Sequence, residues 1–211
     1  MKIGIIGSGD VAQALAEGFL KYGHEVMLGT RDTSKLAGFA AEHPKARIGS
    51  TRDAAAFAEL AVLAVKGTAA IEAVQGAAAQ LAGKTVIDAT NPIADAAPVN
   101  GVLSFFTGPN DSLLERLQRE FPAPRFVKAF NSVGSASMVD PQFAGGPPTM
   151  FIAGDDAGAK AAVSGVLAQF GWDVADMGPA VAARAIEPLC ILWCIPGFVS
   201  NDWVHAFKLL R

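Results

Sequence analysis

The stretch "GIIGSGDVAQALA", residues 4–16, decides the fold of this 211-residue chain. A hydrophobic run leads into Gly7 and Gly9, Ala12 follows three residues on, and an Ala-rich amphipathic segment continues from there. The spacing G-x-G-x-x-A, set between a strand and a helix, meets the needs of a dinucleotide pyrophosphate. Gly7 permits a tight turn, and Gly9 puts no side chain in the way of the phosphates. Ala12 lets helix and strand pack closely while the helix N-terminus faces the anion. Ser8, between the glycines, belongs to the same candidate loop.

Working outward, short β-type runs alternate with Ala-rich amphipathic stretches along the whole chain, the pattern of a doubly wound α/β fold with a mostly parallel sheet. Strands are predicted near 2–6, 24–29, 46–49, 60–65, 84–89, 125–130, 149–153 and 172–176. Helices are predicted near 10–22, 33–43, 52–58, 68–81, 111–120, 156–170 and 180–194. The strands at 60–65 ("LAVLAV") and 84–89 ("KTVIDA") lack polar alternation and are expected at the centre. Residues 1–178 read as one nucleotide-binding domain and 179–211 as a small C-terminal helical extension covering an acceptor cleft. The segment 92–110, rich in Pro, Gly, Ala and Asn, reads as a long functional loop that acts as a lid.

Composition narrows the function. Apolar residues make up 51% of the chain and charged residues 18%, which suits a packed globule. A net charge of −3 supplies no field for a phosphate polymer, so no nucleic-acid partner is expected. The apolar stretch "PLCILWCIPGFV" (188–199) is interrupted by Pro196 and Gly197 and falls short of the roughly 20 residues of a membrane span. With a weakly apolar N-terminus, the expectation is a cytoplasmic protein without a membrane segment. Cys190 and Cys194 stand without partners at metal-ligand spacing, so they read as free thiols and no metal site is expected.

Cofactor choice turns on "MLGTRD", residues 27–32. About 20 residues beyond the glycines, NAD-selective folds place a carboxylate on the ribose 2′-hydroxyl. Here Thr30 and Arg31 fall at that point. A hydroxyl followed by a guanidinium fork suits a 2′-phosphate dianion, so the reading is NADP(H). A one-residue shift in register would instead put Asp32 at the ribose and favour NAD.

Ligands of open α/β sheets lie beyond the carboxyl ends of the strands. Val65 and Lys66 follow the fourth strand, and Thr90, Asn91 and Pro92 follow the fifth. Asn91 is the candidate partner for the nicotinamide carboxamide, and Pro92 stiffens its turn. After the sixth strand, Phe130 and Asn131, with Ser132 and Ser135 nearby, suggest a flat apolar surface for a planar ring. Lys128 falls within that strand and is left out of the candidate site. His24, His43 and His205 follow no central strand, and no catalytic residue is assigned. Alcohol and hydroxy-acid dehydrogenases need a proton-transfer group near the hydride site. A hydride passed between two ring cofactors does not, because the protein mainly aligns them.

Taken together, "IGIIGSGDVAQALA", "GHEVMLGTRD", "DATNPI", "FVKAFNSVGS", "TMFIAGDD" and "DMGPAVAARAIEPL" resemble the NADP oxidoreductases dependent on coenzyme F420, a deazaflavin. The resemblance implies an NADP-binding Rossmann domain, hydride transfer between NADPH and a deazaflavin or flavin ring (FMN or FAD), and frequent homodimerisation. It places Thr30 and Arg31 at the 2′-phosphate, with Gly7, Gly9, Asp10 and Val11 around the pyrophosphate. The segment "KAFNSVGS" is closer to bacterial relatives and to the cytoplasmic domain of the STEAP metalloreductases, in which NADPH reduces a flavin. Only residues 179–211 follow Gly178, too few for the helical domain of roughly a hundred residues that other sharers of this motif add. In that segment Arg184 and Glu187 either pair with each other or leave Arg184 free for an acidic acceptor group. Two other functions fit the same residues: an NADP-binding redox sensor without turnover, and an NADPH-dependent reductase of a small carbonyl or imine.

Overall fold

The computed structural model describes residues 1–210. Strand β1 (Lys2–Ile6) leads through the glycine turn into helix α1 (Asp10–Lys21), then β2 (Glu25–Gly29), α2 (Ala37–Glu42), β3 (Arg47–Gly49), α3 (Thr51–Phe57) and β4 (Leu60–Leu63). The second half runs α4 (Ala70–Gln75), α5 (Ala78–Leu81), β5 (Thr85–Asp88), α6 (Leu113–Glu120), β6 (Arg125–Lys128), β7 (Thr149–Ile152), α7 (Ala157–Gln169), β8 (Asp173–Asp176), α8 (Ala183–Ile186) and α9 (Leu189–Ser200).

Six strands form one parallel sheet in the order β3-β2-β1-β4-β5-β6. This is the doubly wound order in which the chain reverses direction between β1 and β4, so the cofactor crevice opens there. Alternation along each strand feeds two cores. Ile3, Ile5, Val62, Ile87 and Val127 face α1 and α7 on one side, while Ile6, Leu63, Val86 and Phe126 face α4, α5 and α6 on the other. All four residues of β4 are buried, as its unbroken apolar run predicts.

The structure departs from the sequence reading in four places. β7 and β8 do not extend the main sheet; they form a separate parallel pair, joined to it by an antiparallel bridge between Lys128 and Ala153. The helix expected over 68–81 breaks at Gly76 and Ala77, where glycine gives the helix little support. The segment 92–110 is a folded arm: Ile93 bridges Phe105, Val99 bridges Val102, and Ile93, Leu103 and Phe105 pack on Cys190, Trp193 and Cys194 of α9. Finally, the last helix runs on past residue 194 to Ser200, and Asn201 caps it in the left-handed conformation.

That extension changes the membrane arithmetic. The helical run Ala180–Ser200 has 21 residues and a mean hydropathy of 1.4, long and apolar enough by composition to cross a membrane. A third of that apolar run is buried in the protein, and Glu187 within it pairs with the buried Lys128.

Helix α3 rests almost on the backbone of β1. A Cβ added to Gly4 would lie 2.1 Å from the Ala54 carbonyl oxygen. Gly4→Ala is therefore expected to destabilise the fold by about 1–3 kcal/mol, read from the urea midpoint. An unchanged midpoint would mean that α3 shifts away at no cost.

Candidate active site

At Gly7 the turn between β1 and α1 is held by backbone. Gly7 adopts φ +143°, its N–H donates to the Gly29 carbonyl (2.9 Å), and a Cβ there would lie 2.1 Å from the Ala64 carbonyl oxygen. Only glycine fits. Gly9 differs: it is the N-cap of α1 with an ordinary extended backbone, and a Cβ added to it would meet nothing within 4 Å. The space above Gly9 is therefore open to a ligand. Ser8 is fixed through its carbonyl, which accepts from Gln13 Nε2 at 2.9 Å. Asp10 is exposed in the first turn of α1, and Val11 leans back onto the core.

From this turn a groove of about 580 Å³ runs along the carboxyl edge of the sheet, lined by Gly7, Ser8, Gly9, Thr30, Arg31 and Val65 among others. β2 ends level with β1, Gly29 pairing with Ile6, so Thr30 and Arg31 are the first residues beyond the strand. The Thr30 hydroxyl donates to Ser8 Oγ at 3.3 Å, tying the end of β2 to the glycine turn. Arg31 is largely exposed and touches Glu72 at 3.5 Å, a surface contact weak enough for the guanidinium to swing onto a phosphate.

The competing carboxylate is already engaged. Asp32 accepts from both the N–H (3.0 Å) and the hydroxyl (2.6 Å) of Ser34, capping the 3₁₀ turn Thr33–Leu36. These bonds, the hydroxyl's first, hold its carboxyl below the ordinary aspartate range. In place of an acidic grip on the ribose, the groove offers a second cation, Lys35. Lys35, Thr51 and Glu72 line the groove although sequence reasoning did not select them. Lys35 had a usable signal, a base four residues after Arg31 behind an Asx cap.

Val65 and Lys66 also line a second hollow of about 390 Å³, together with Thr90, Asn91, Ile93 and Asp95, so the two spaces meet at the end of β4. Asn91 is half-buried there. Its Nδ2 donates to the Asn131 carbonyl (2.7 Å), and its Oδ1 accepts from Asn131 Nδ2 (3.2 Å). Pro92 is buried, and its carbonyl anchors the arm by accepting from Phe106 N–H (2.9 Å).

Phe130 corrects the sequence reading: it lies in the core beside Phe170 with 1% of its surface exposed, and offers no face for a planar ring. Its φ of +63° turns the chain so that Asn131, not the ring, points toward Asn91. The Arg184–Glu187 pair does not form either. Arg184 binds Glu115 through two nitrogens (2.8 and 3.0 Å), and Glu187 goes to Lys128. No histidine lines either space. Among the described residues, no three of His, Cys, Asp and Glu converge as a metal set.

Comparison with known proteins gives this geometry a family. A family model described as NADP oxidoreductase coenzyme F420-dependent matches residues 2–92. The chain is also 31% identical over 151 residues to the F420-dependent NADP reductase of Methanothermobacter marburgensis, covering 66% of this chain and 67% of that protein. The chain belongs to this family. It is accordingly an NADP-dependent oxidoreductase. It is 32% identical over 219 residues to rat metalloreductase STEAP3, a match that takes in all of this chain but only 42% of that protein. The crystal structure of a proposed F420-dependent NADP reductase from Arthrobacter sp. FB24 shares 35% identity and superposes with a TM-score of 0.94, covering 100% of both chains.

The two glycines make opposite predictions. Gly9→Val is expected to leave stability within about 1 kcal/mol, since a Cβ there meets no protein atom within 4 Å, yet to abolish NADPH binding by filling the space over the glycine turn. Calorimetric titration and a thermal melt on the same sample check both halves. NADPH binding retained by Gly9→Val would place the pyrophosphate elsewhere.

Proposed function

We propose that this NADP-dependent oxidoreductase passes a hydride between NADPH and a ring acceptor, the deazaflavin coenzyme F420 or a flavin such as FMN or FAD. The observation that carries the reading is the junction at Val65 and Lys66. A nucleotide groove with two cations at its far end opens there into a second hollow, and neither space contains a histidine. Bound NADPH would supply the hydride. The chain's own part is alignment: the turn at Gly7–Gly9 and the N-terminus of α1 receive the pyrophosphate, while Thr30, Arg31 and Lys35 receive the 2′-phosphate. Asn91, braced by Asn131, forms the wall where the two rings would meet. A ring acceptor needs no proton from the protein as the hydride arrives, which suits a site built for orientation.

The frequent homodimerisation that the family resemblance implies, together with exposed apolar side chains, supports a homodimer. Leu192, Phe198 and Val199 of α9 and Val99 and Val102 of the arm all show large exposed apolar surfaces. Two free cysteines suit the reducing cytoplasm.

The test is NADPH oxidation by the purified protein, followed by near-ultraviolet absorbance with coenzyme F420, FMN, FAD or no acceptor. Turnover with a ring acceptor is expected. NADPH that binds but stays reduced with every one would point to a redox sensor. In the same samples Arg31→Ala should weaken NADPH binding by about 1–3 kcal/mol and leave NADH binding nearly unchanged. Equal loss for both cofactors would move the 2′-phosphate site away from Arg31.

A further inference from the structure

Beneath the second hollow lies a charge cluster to which neither the cofactor groove nor the acceptor wall assigns a role. Lys128, at the end of β6, is completely buried. Its ammonium lies 2.7 Å from Asp88 Oδ2 and 2.9 Å from Glu187 Oε1, and donates to the Thr90 carbonyl at 2.8 Å. Of the three contacts the one to the Thr90 carbonyl is a hydrogen bond, while the two carboxylates are paired with the ammonium as ions, Asp88 Oδ2 accepting no hydrogen bond. Burial alone would lower the lysine's pKa, but the two carboxylates outweigh it and hold the group above its ordinary value. The lysine is therefore charged at neutral pH.

Each partner belongs to a different part of the fold. Asp88 ends β5, and its Oδ1 accepts from both the N–H (2.9 Å) and the hydroxyl (2.6 Å) of Thr90. Glu187 stands between α8 and α9, and its two oxygens accept from the N–H groups of Leu113 (2.9 Å) and Leu114 (3.0 Å), the free donors at the start of α6. Alongside, Asn131 donates to the carbonyl of Ile186, the residue before Glu187 (3.0 Å), and to Asn91 (3.2 Å). One ammonium thus gathers the ends of β5 and β6, the start of α6 and the C-terminal helices around the turn Thr90–Asn91, which lines the acceptor hollow.

We propose that Lys128 is a positioning residue: bridging Asp88, Glu187 and the Thr90 carbonyl, it sets the Thr90–Asn91 wall against which the nicotinamide and its acceptor are aligned. The proposal deepens the hydride-transfer reading and rests on it for its kinetic arm. It separates the two ends of the cofactor. The 2′-phosphate and pyrophosphate are held by β1, β2 and α1, which Lys128 does not touch; the nicotinamide end depends on the cluster.

Two variants test this, Lys128→Met and Glu187→Gln, the second a near-isosteric change that keeps the fold measurable if the first leaves its buried carboxylates unpaired and unfolds. Each is titrated with 2′,5′-ADP, which carries only the phosphate end, and with NADPH, and is then assayed for single-turnover hydride transfer. For the folded variant, 2′,5′-ADP affinity is expected to stay within about twofold of wild type, NADPH to lose its added affinity over 2′,5′-ADP, and hydride transfer to fall roughly tenfold or more. Loss of 2′,5′-ADP affinity in parallel with NADPH would show a general structural role and overturn the proposal. So would unchanged NADPH affinity and rate. If the wild type leaves NADPH reduced with every ring acceptor, the hydride-transfer reading fails, while the comparison of 2′,5′-ADP with NADPH still decides the role of Lys128.

Discussion

Gly7 brings the end of β1, the backbone of Ala64 and the start of α1 closer than any side chain would allow. Its N–H binds the Gly29 carbonyl, and the Ala64 carbonyl occupies the place of a Cβ. That contact sets three neighbours at once: β2 ends level with β1, β4 delivers Val65 and Lys66 to the same edge, and α1 points its free N–H groups at the gap over Gly9. The gap over Gly9, the Thr30–Arg31 pair and the Val65–Lys66 pair are all placed by this one close approach, each at the first residues after a strand it aligns.

Charge is used in two different ways along the edge. At the nucleotide end Arg31 is exposed and loosely paired with Glu72, an arrangement of little energetic consequence that leaves the guanidinium available. At the acceptor end Lys128 is sealed from water with two carboxylates, and removing one partner of such a cluster typically costs about 3–5 kcal/mol. One end is built to accept an anion, the other to resist movement. A site that works by alignment needs both.

Much of this was legible in the sequence. The glycine spacing and the apolar runs of β4 and β5 are local signals, and Thr30 and Arg31 stand just beyond β2, where the count from the glycines puts them. The six-stranded sheet follows from the same alternation. What escaped was non-local. Phe130 reads as a platform because it follows a strand, but its left-handed turn sends the ring into the core against Phe170, a residue forty positions away. Lys128 reads as an ordinary strand lysine; its partners come from Asp88 and Glu187, and no periodicity links those positions. Arg184 and Glu187 have helical spacing and the backbone between them stays helical, yet each finds a partner distant in sequence, Glu115 for one and Lys128 for the other. The arm over 92–110 lacked periodicity because its order comes from packing on α9.

In the proposed reaction the chain aligns two rings for direct transfer of hydride, without a proton relay from the protein. The measurement that tests it most directly is isotope transfer from NADPH carrying deuterium at the donating carbon, with coenzyme F420 as acceptor and mass detection of the product. The accepting atom of a deazaflavin is carbon, so deuterium delivered as deuteride stays in place. Direct transfer predicts that the label appears on the deazaflavin in proportion to NADPH oxidised and that none is lost to water. Label released into solvent, or oxidation of NADPH that leaves the deazaflavin unlabelled, would contradict it.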